Sequence, residues 1–220
     1  LMPVGEALAT RMVVQAHLDY GKVRLCGSFA FIVASTLVGA LVGNFGSDWI
    51  LHTMVAGLVL MLLLSWLPLY PAPQDSQGER AKASLLATLR SASVRRFLLL
   101  TALLQGSHAA YYGFSAIYWK AQGYSGTIIG YLWALGVVAE ICMFAADKRF
   151  LQRFGAQSLF IAGAIGCVVR WVLLGASTEL WVLVLGQLLH SVTFGMSHLG
   201  AVRFMTRQLP AEQLIPTQAL

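Results

Sequence analysis

Glu140 is the single charged residue in TIIGYLWALGVVAEICMFAA, the apolar stretch from Thr127 to Ala146. That stretch is about as long as a helix needs to be to cross a bilayer, roughly 20 residues. A lone carboxylate at that depth is costly. It is expected to face a bundle interior or a wet cavity and to have a partner there. Two apolar runs further along the chain offer one: Arg170 in GCVVRWVLLG and His190 in GQLLHSVTFG. A carboxylate, an arginine and a histidine gathered inside a bundle can bind and release a proton and can hold an anion. The alternative is a carboxylate near its helix end that snorkels to the interface and needs no partner.

Two polar stripes lie near these charges. Gln105, His108, Tyr112 and Ser115 recur at steps of three and four, which places them on one helical face, widened by Tyr111 and Tyr118. Gln187, His190 and Ser197, flanked by Thr193 and His198, form the second. Such stripes line polar cavities, and they also serve as hydrogen-bonding glue between helices. A second charged pair, Glu6 and Arg24, stands near the start of the chain. Antiparallel neighbours can bring the two together; a capping Glu and an interfacial Arg is the other reading. Cys26, Cys142 and Cys167 all lie in apolar runs without ligand spacing and read as small hydrophobes. Neither a metal nor a cofactor is expected. No nucleophile elbow, zinc-protease motif or phosphate-binding loop is present, which speaks against an enzyme.

The elements that must position these residues are helices in a membrane. Of the 220 residues 58% are hydrophobic and only 11% charged, against about a quarter charged in soluble domains. The formal charge of +6 is therefore read through its distribution among loops, not as affinity for nucleic acid. Six spans are expected: Arg24–Gly43, Trp49–Leu69, Phe97–Trp119, Thr127–Ala146, Ser158–Gly175 and Leu180–Val202. Ser35, Gly39 and Gly43 give the first a small-residue face. Residues 1–14 read as the tail of a further span and 215–220 as the start of another. The stretch 71–96 is polar, first a linker and then, from Ala81 to Arg96, a candidate surface helix. Of the 15 Lys and Arg residues, Lys120 alone falls on one side and Arg170 lies within a span. The other thirteen make their side cytoplasmic. The loops at 15–23, 71–96, 147–157 and 203–214 are then inside.

At this point the chain resembles the major facilitator superfamily. A cytoplasmic linker between two helical halves fits it, and the loop DKRFLQRFG resembles a degraded second-half copy of its basic, glycine-containing loop signature. DYGKVRLCGSFAF resembles the start of the fifth span in the branch holding the lactose permease and nucleoside–proton symporters. LDYGKVRL, LLQGSHAAYYGFSAIYWKAQGYS and GYLWALGVVAE are similar to aromatic-acid carriers of that branch.

The resemblance implies an all-α membrane protein with the major facilitator helical bundle. The chain would run from the end of span 4 to the start of span 11, as an internal fragment. Residues 1–70 would belong to the N-terminal half, 71–96 to the cytoplasmic linker and 97–220 to the C-terminal half. It further implies proton-coupled uptake of an aromatic carboxylate such as 3-phenylpropionate, by alternating access. The setting would be the bacterial inner membrane and the full-length protein a monomer. The partners are the lipid bilayer, a small aromatic acid and protons. Glu6 and Arg24 fall where the branch has a substrate-contacting charged pair, Arg170 on its ninth-span arginine and His190 on its tenth-span histidine. Two departures stand out. The eighth-span carboxylate of the sugar carriers aligns with Val137, one turn before Glu140, and their tenth-span carboxylate is Thr193. Glu140, Arg170, His190, Glu6, Arg24, His108, Gln105 and Tyr112 are thus the expected substrate and proton pathway. Tyr111, Tyr112, Phe114 and Trp133 are candidates for ring contacts. A symporter of a sugar or nucleoside is the nearer alternative; a sensor or scaffold without transport is the other. The architecture itself makes a prediction. Circular dichroism of the protein in detergent should show helix without sheet, since an open sheet edge cannot sit in lipid. A sheet anywhere in 25–70 or 97–202 would contradict it.

Overall fold

The computed structural model of the chain describes residues 20–68, 89–146, 151 and 153–208. Every regular element among them is helical. They are α1 (Tyr20–Phe45), α2 (Asp48–Ser65), α3 (Ala92–Gly106), α4 (Ala109–Ala121), α5 (Gly126–Ala146) and α6 (Ala156–Ala176). A last column follows: α7 (Leu180–His190), a π-helical stretch (Ser191–Met196) and α8 (Ser197–Gln208). Five helical segments are long and apolar enough to cross a membrane: Leu25–Phe45, Asp48–Ser65, Gly126–Ala146, Ala156–Ala176 and Leu180–Met205. They coincide with five of the six expected spans. The linker at 71–80, the partial spans at both ends, and residues 147–150 and 152 of the following loop lie outside the described residues.

The sixth span departs from expectation. Phe97–Trp119 is not one helix but two, broken at Ser107 and His108. The cause is local competition for one carbonyl. The backbone N–H of His108 bonds to Gln105 O at 3.0 Å, one residue short of helical register. This frees Leu104 O, which then accepts from Ser107 Oγ at 2.7 Å and from His108 Nδ1 at 2.9 Å. Side chains that satisfy a freed carbonyl make a broken helix tolerable at membrane depth. The candidate surface helix from Ala81 also ends differently. Among described residues, Ser91 caps α3, accepting from Val94 N–H, so residues 92–96 belong to the span.

Two apolar clusters hold the second half of the chain together. Phe97, Leu104, Phe160, Cys167 and Met205 form one, with Phe97 stacked on Phe204. Tyr111, Trp119, Ile129, Leu132 and Leu183 form the other. By position along α3–α4, α6 and α7–α8, the clusters lie towards opposite ends of the bundle, and the polar residues fall between them. Arg203 at the end of α8 donates to the carbonyls of Leu151 and Phe154 at 2.7 and 2.6 Å. Tyr124 ties the α4–α5 loop to Thr178 O at 2.6 Å. These ties make the spans antiparallel. They gather Arg153, Arg203 and Arg207 at one end, with Lys120 at the other. The outer surface is a belt of exposed Leu, Val, Ile and Phe; α2 buries none of its side chains. In water such a surface would be a liability, and in lipid it is solvated.

α1 reaches the rest through α5. At Gly39 an added Cβ would come within 2.7 Å of Gly126 O and 2.8 Å of Gly130 Cα. At Gly130 it would come within 2.5 Å of Ser35 O. The small-residue face read from the sequence is thus where two backbones meet. Because backbone cannot swing aside, Gly130→Ala should destabilise the protein by about 1–3 kcal/mol. At Gly57 a Cβ would meet nothing within 4 Å, so Gly57→Ala should be neutral or slightly stabilising. Thermal unfolding in detergent compares the two, and equal melting temperatures would contradict the packing.

Candidate functional site

Arg170 lies in α6, near the middle of a helix with no other charge. It is 0% exposed. Its Nε donates to Gly186 O at 2.7 Å. Its Nη1 donates to His190 Nδ1 at 3.1 Å and to Thr193 Oγ1 at 3.4 Å. Its Cζ lies 4.4 Å from the Tyr111 ring centre and 4.7 Å from that of Trp171. Those two rings are only 5.6 Å apart. The guanidinium therefore sits over the seam between them rather than sandwiched, and both ring faces stabilise its charge.

The partners fix the proton positions on two histidines. An arginine can only donate, so His190 Nδ1 accepts, and the neutral ring carries its proton on Nε2. That Nε2 faces Glu140 Oε2 at 3.9 Å. The gap is too long for a hydrogen bond and short enough for a small rotation or one water to close. His108 is 0% exposed. Its Nδ1 can only donate to Leu104 O, which leaves Nε2 as an acceptor for the Thr193 hydroxyl at 3.1 Å, whose one proton also faces His190 O at 3.2 Å. A connected polar layer results, running from Glu140 on α5 through His190 and Arg170 to Thr193 and His108.

The π-helical stretch builds one side of this layer. Its widened turn displaces backbone pairing, and hydroxyls repair it: Ser191 donates to Leu188 O at 2.7 Å and Ser197 to Thr193 O at 2.6 Å. Such bulges recur at functional sites because they re-aim side chains within a span. Here Thr193 is buried, touching both Arg170 and His108.

The structure brings together Arg170, His190, His108 and Glu140 of the expected residues. Tyr112 stands at the rim, 45% exposed, against Trp133 at 5.8 Å and His190 at 6.3 Å between ring centres. Gln105 is not brought in: it is exposed on α3, while Leu104 and His108 turn inward. Phe114 is likewise exposed. Glu6 and the side chain of Arg24 lie outside the described residues. Of the two partners offered to Glu140, His190 faces it, and Arg170 is reached through His190. Trp171 was not singled out from the sequence, although an aromatic next to a mid-span arginine is a usable signal. Gln187 was noted only as a member of a stripe. It is buried, and Tyr111 Oη donates to its Oε1 at 2.8 Å.

The fold and this layer define a polytopic helical membrane protein with charge held at mid-depth, the arrangement used by solute carriers. Over residues 1–220 the chain matches the MFS_1 like family, and it belongs to that family, within the major facilitator superfamily. It is 44% identical over 215 residues to a protein of Escherichia coli (strain K12) named "Probable 3-phenylpropionic acid transporter", covering 96% of this chain and 56% of that relative. It is 28% identical over 211 residues to a "Maltose permease" of Geobacillus stearothermophilus, covering 96% of this chain and 53% of that relative. The chain spans about half the length of these curated relatives. No solved structure matches it.

The layer makes a stability prediction. Thr193→Val keeps the volume but removes the hydroxyl that serves both Arg170 and His108. Leaving buried partners unmade should cost about 1–3 kcal/mol. Thr193→Ser should restore most of the loss. Melting temperatures in detergent check this, and a valine variant as stable as wild type would show that the hydroxyl is dispensable.

Proposed function

We propose that the full-length protein is a secondary active carrier that takes up an aromatic carboxylate, such as 3-phenylpropionate, together with protons. It would act by alternating access between two helical halves, residues 1–70 and 97–220, joined by a cytoplasmic linker at 71–96. It would do so as a monomer in the bacterial inner membrane. One observation carries this reading: a fully buried arginine held by a backbone carbonyl, a neutral imidazole, a hydroxyl and two rings. A cation so placed favours the arrival of an anion, and a guanidinium takes a carboxylate best, with two prongs. The acid in the name of the Escherichia coli relative is such an anion.

The membrane potential supplies the reason for a proton. An anion entering a negative interior works against roughly 2.3 kcal/mol per 100 mV. One co-transported proton cancels that term and a second drives accumulation. Glu140 is the carboxylate within reach, and His190 connects it to Arg170. When substrate claims the guanidinium, His190 is released to turn towards Glu140, and that end of the layer takes up a proton. Release of substrate reverses the exchange. Glu6 and Arg24, in the other half, remain candidates for a second charged site.

Flux assays on the full-length protein in vesicles test the scheme. Glu140→Gln should abolish uphill, proton-driven uptake of 3-phenylpropionate while sparing exchange of internal for external substrate. Arg170→Lys keeps the charge but loses the fork, and should weaken substrate binding by about tenfold or more. Maltose and a nucleoside serve as neutral comparators. If Glu140→Gln accumulates substrate as well as wild type does, Glu140 is structural. If the neutral solutes are carried and the acid is not, the anion reading fails.

A further inference from the structure

Two buried donors of the polar layer have no partner among the described residues: Arg170 Nη2 and Gln187 Nε2. Their side chains are 0% and 1% exposed. An orphaned buried N–H is costly, and one on a cation more so. One residue joins the two. Tyr111 places its ring 4.4 Å from Arg170 Cζ and its hydroxyl 2.8 Å from Gln187 Oε1. The backbone joins them again, because Arg170 Nε bonds to the carbonyl of Gly186, the residue before Gln187. Tyr111 occupies the amide oxygen, so the amide nitrogen is what remains. A group that satisfies both orphans must offer two acceptors. Beside a guanidinium it should also carry negative charge. A water supplies the acceptors without the charge.

We propose that Gln187 Nε2 and Arg170 Nη2 form a two-donor clamp, one for each oxygen of a carboxylate, and that Gln187 sets the preference for acids over neutral analogues. The inference rests on the reading of this layer as the seat of an anionic substrate. The ligand class is an arylalkanoate, a ring joined to a carboxylate by a short aliphatic spacer. The ring half of the site is adjacent. Trp133 lies 5.2 Å from Tyr111 and 5.8 Å from Tyr112 between ring centres, and Tyr112 is exposed at the rim. A substrate ring entering there stacks on Tyr112 and Trp133 while its carboxylate reaches inward. Gly136 leaves Gln187 room: a Cβ there would stand 3.1 Å from its Oε1.

The test is equilibrium binding of 3-phenylpropionate and of its neutral primary amide to the purified full-length carrier. Wild type is compared with Gln187→Met, Gln187→Glu, Tyr111→Phe and Arg170→Lys. Gln187→Met keeps the volume and should lose about ten- to hundredfold in affinity for the acid, as expected for one hydrogen bond to a charged group. Its affinity for the amide should change little. Gln187→Glu sets like charge against the carboxylate and should abolish acid binding. Tyr111→Phe leaves Gln187 in place but frees its amide to turn its oxygen towards Arg170, so acid affinity should fall by less than in the methionine variant. If the Gln187 variants do not fold, Tyr111→Phe decides, and an unchanged acid affinity there overturns the clamp. If Gln187→Met folds and binds the acid as wild type does while Arg170→Lys does not, the clamp is overturned and Arg170 remains the anion site. If Arg170→Lys also binds as wild type does, the anion reading falls with it.

Discussion

A positive charge buried at the middle of a membrane span is the constraint on which the second half of this structure turns. Arg170 cannot snorkel, and a desolvated guanidinium is stable only if its surroundings replace water. Its neighbours do so by several small terms. Two aromatic faces, a backbone carbonyl, an imidazole nitrogen and a hydroxyl each take a share. None of these partners is itself charged. A connection to the Glu140 carboxylate runs through His190, whose Nε2 stands 3.9 Å from it. The charge is solvated enough to fold, and on the proposed reading an anionic substrate completes its balance.

The irregular features follow from that requirement. The break between α3 and α4 turns His108 into the layer and gives its ring a carbonyl to hold, which fixes the tautomer that receives Thr193. The π-helical stretch widens the backbone where Thr193 must reach two partners at once. Apolar clusters above and below close the layer off. Their low dielectric strengthens every interaction inside it and raises the cost of leaving a donor unmade. The lipid-facing belt, by contrast, has little to specify, and α2 shows this most plainly, with no buried side chain.

Much of this was legible in the sequence, because bilayers impose simple rules. Five spans were readable from length and hydropathy alone, and the segregation of basic residues matches the end of the bundle that holds Arg153, Arg203 and Arg207. Arg170, His190 and Glu140 were legible because a charge in a span is rare enough to be a signal. The broken span was not legible, since Ser107 and His108 also fit an unbroken helical stripe. Both turn back to Leu104 O, held there by tertiary contacts of His108 with Thr193 and of Ser107 with Trp171. Gln105 illustrates the limit of periodicity: it shares the stripe of His108 by spacing, yet the break turns only His108 inward. Thr193 was visible as a flank of the second stripe and as a missing carboxylate, and its role as a shared hydroxyl depends on the π turn. Gln187 needed the structure, because an orphaned donor is a property of surroundings and not of spacing.

On the proposed reading, the substrate's carboxylate completes the buried guanidinium. A structure of the full-length carrier with 3-phenylpropionate bound tests it most directly. A carboxylate oxygen is expected within about 3 Å of Arg170 Nη2, with the phenyl ring against Tyr112 and Trp133. A substrate seated elsewhere, with Arg170 still held by its present partners, would contradict it.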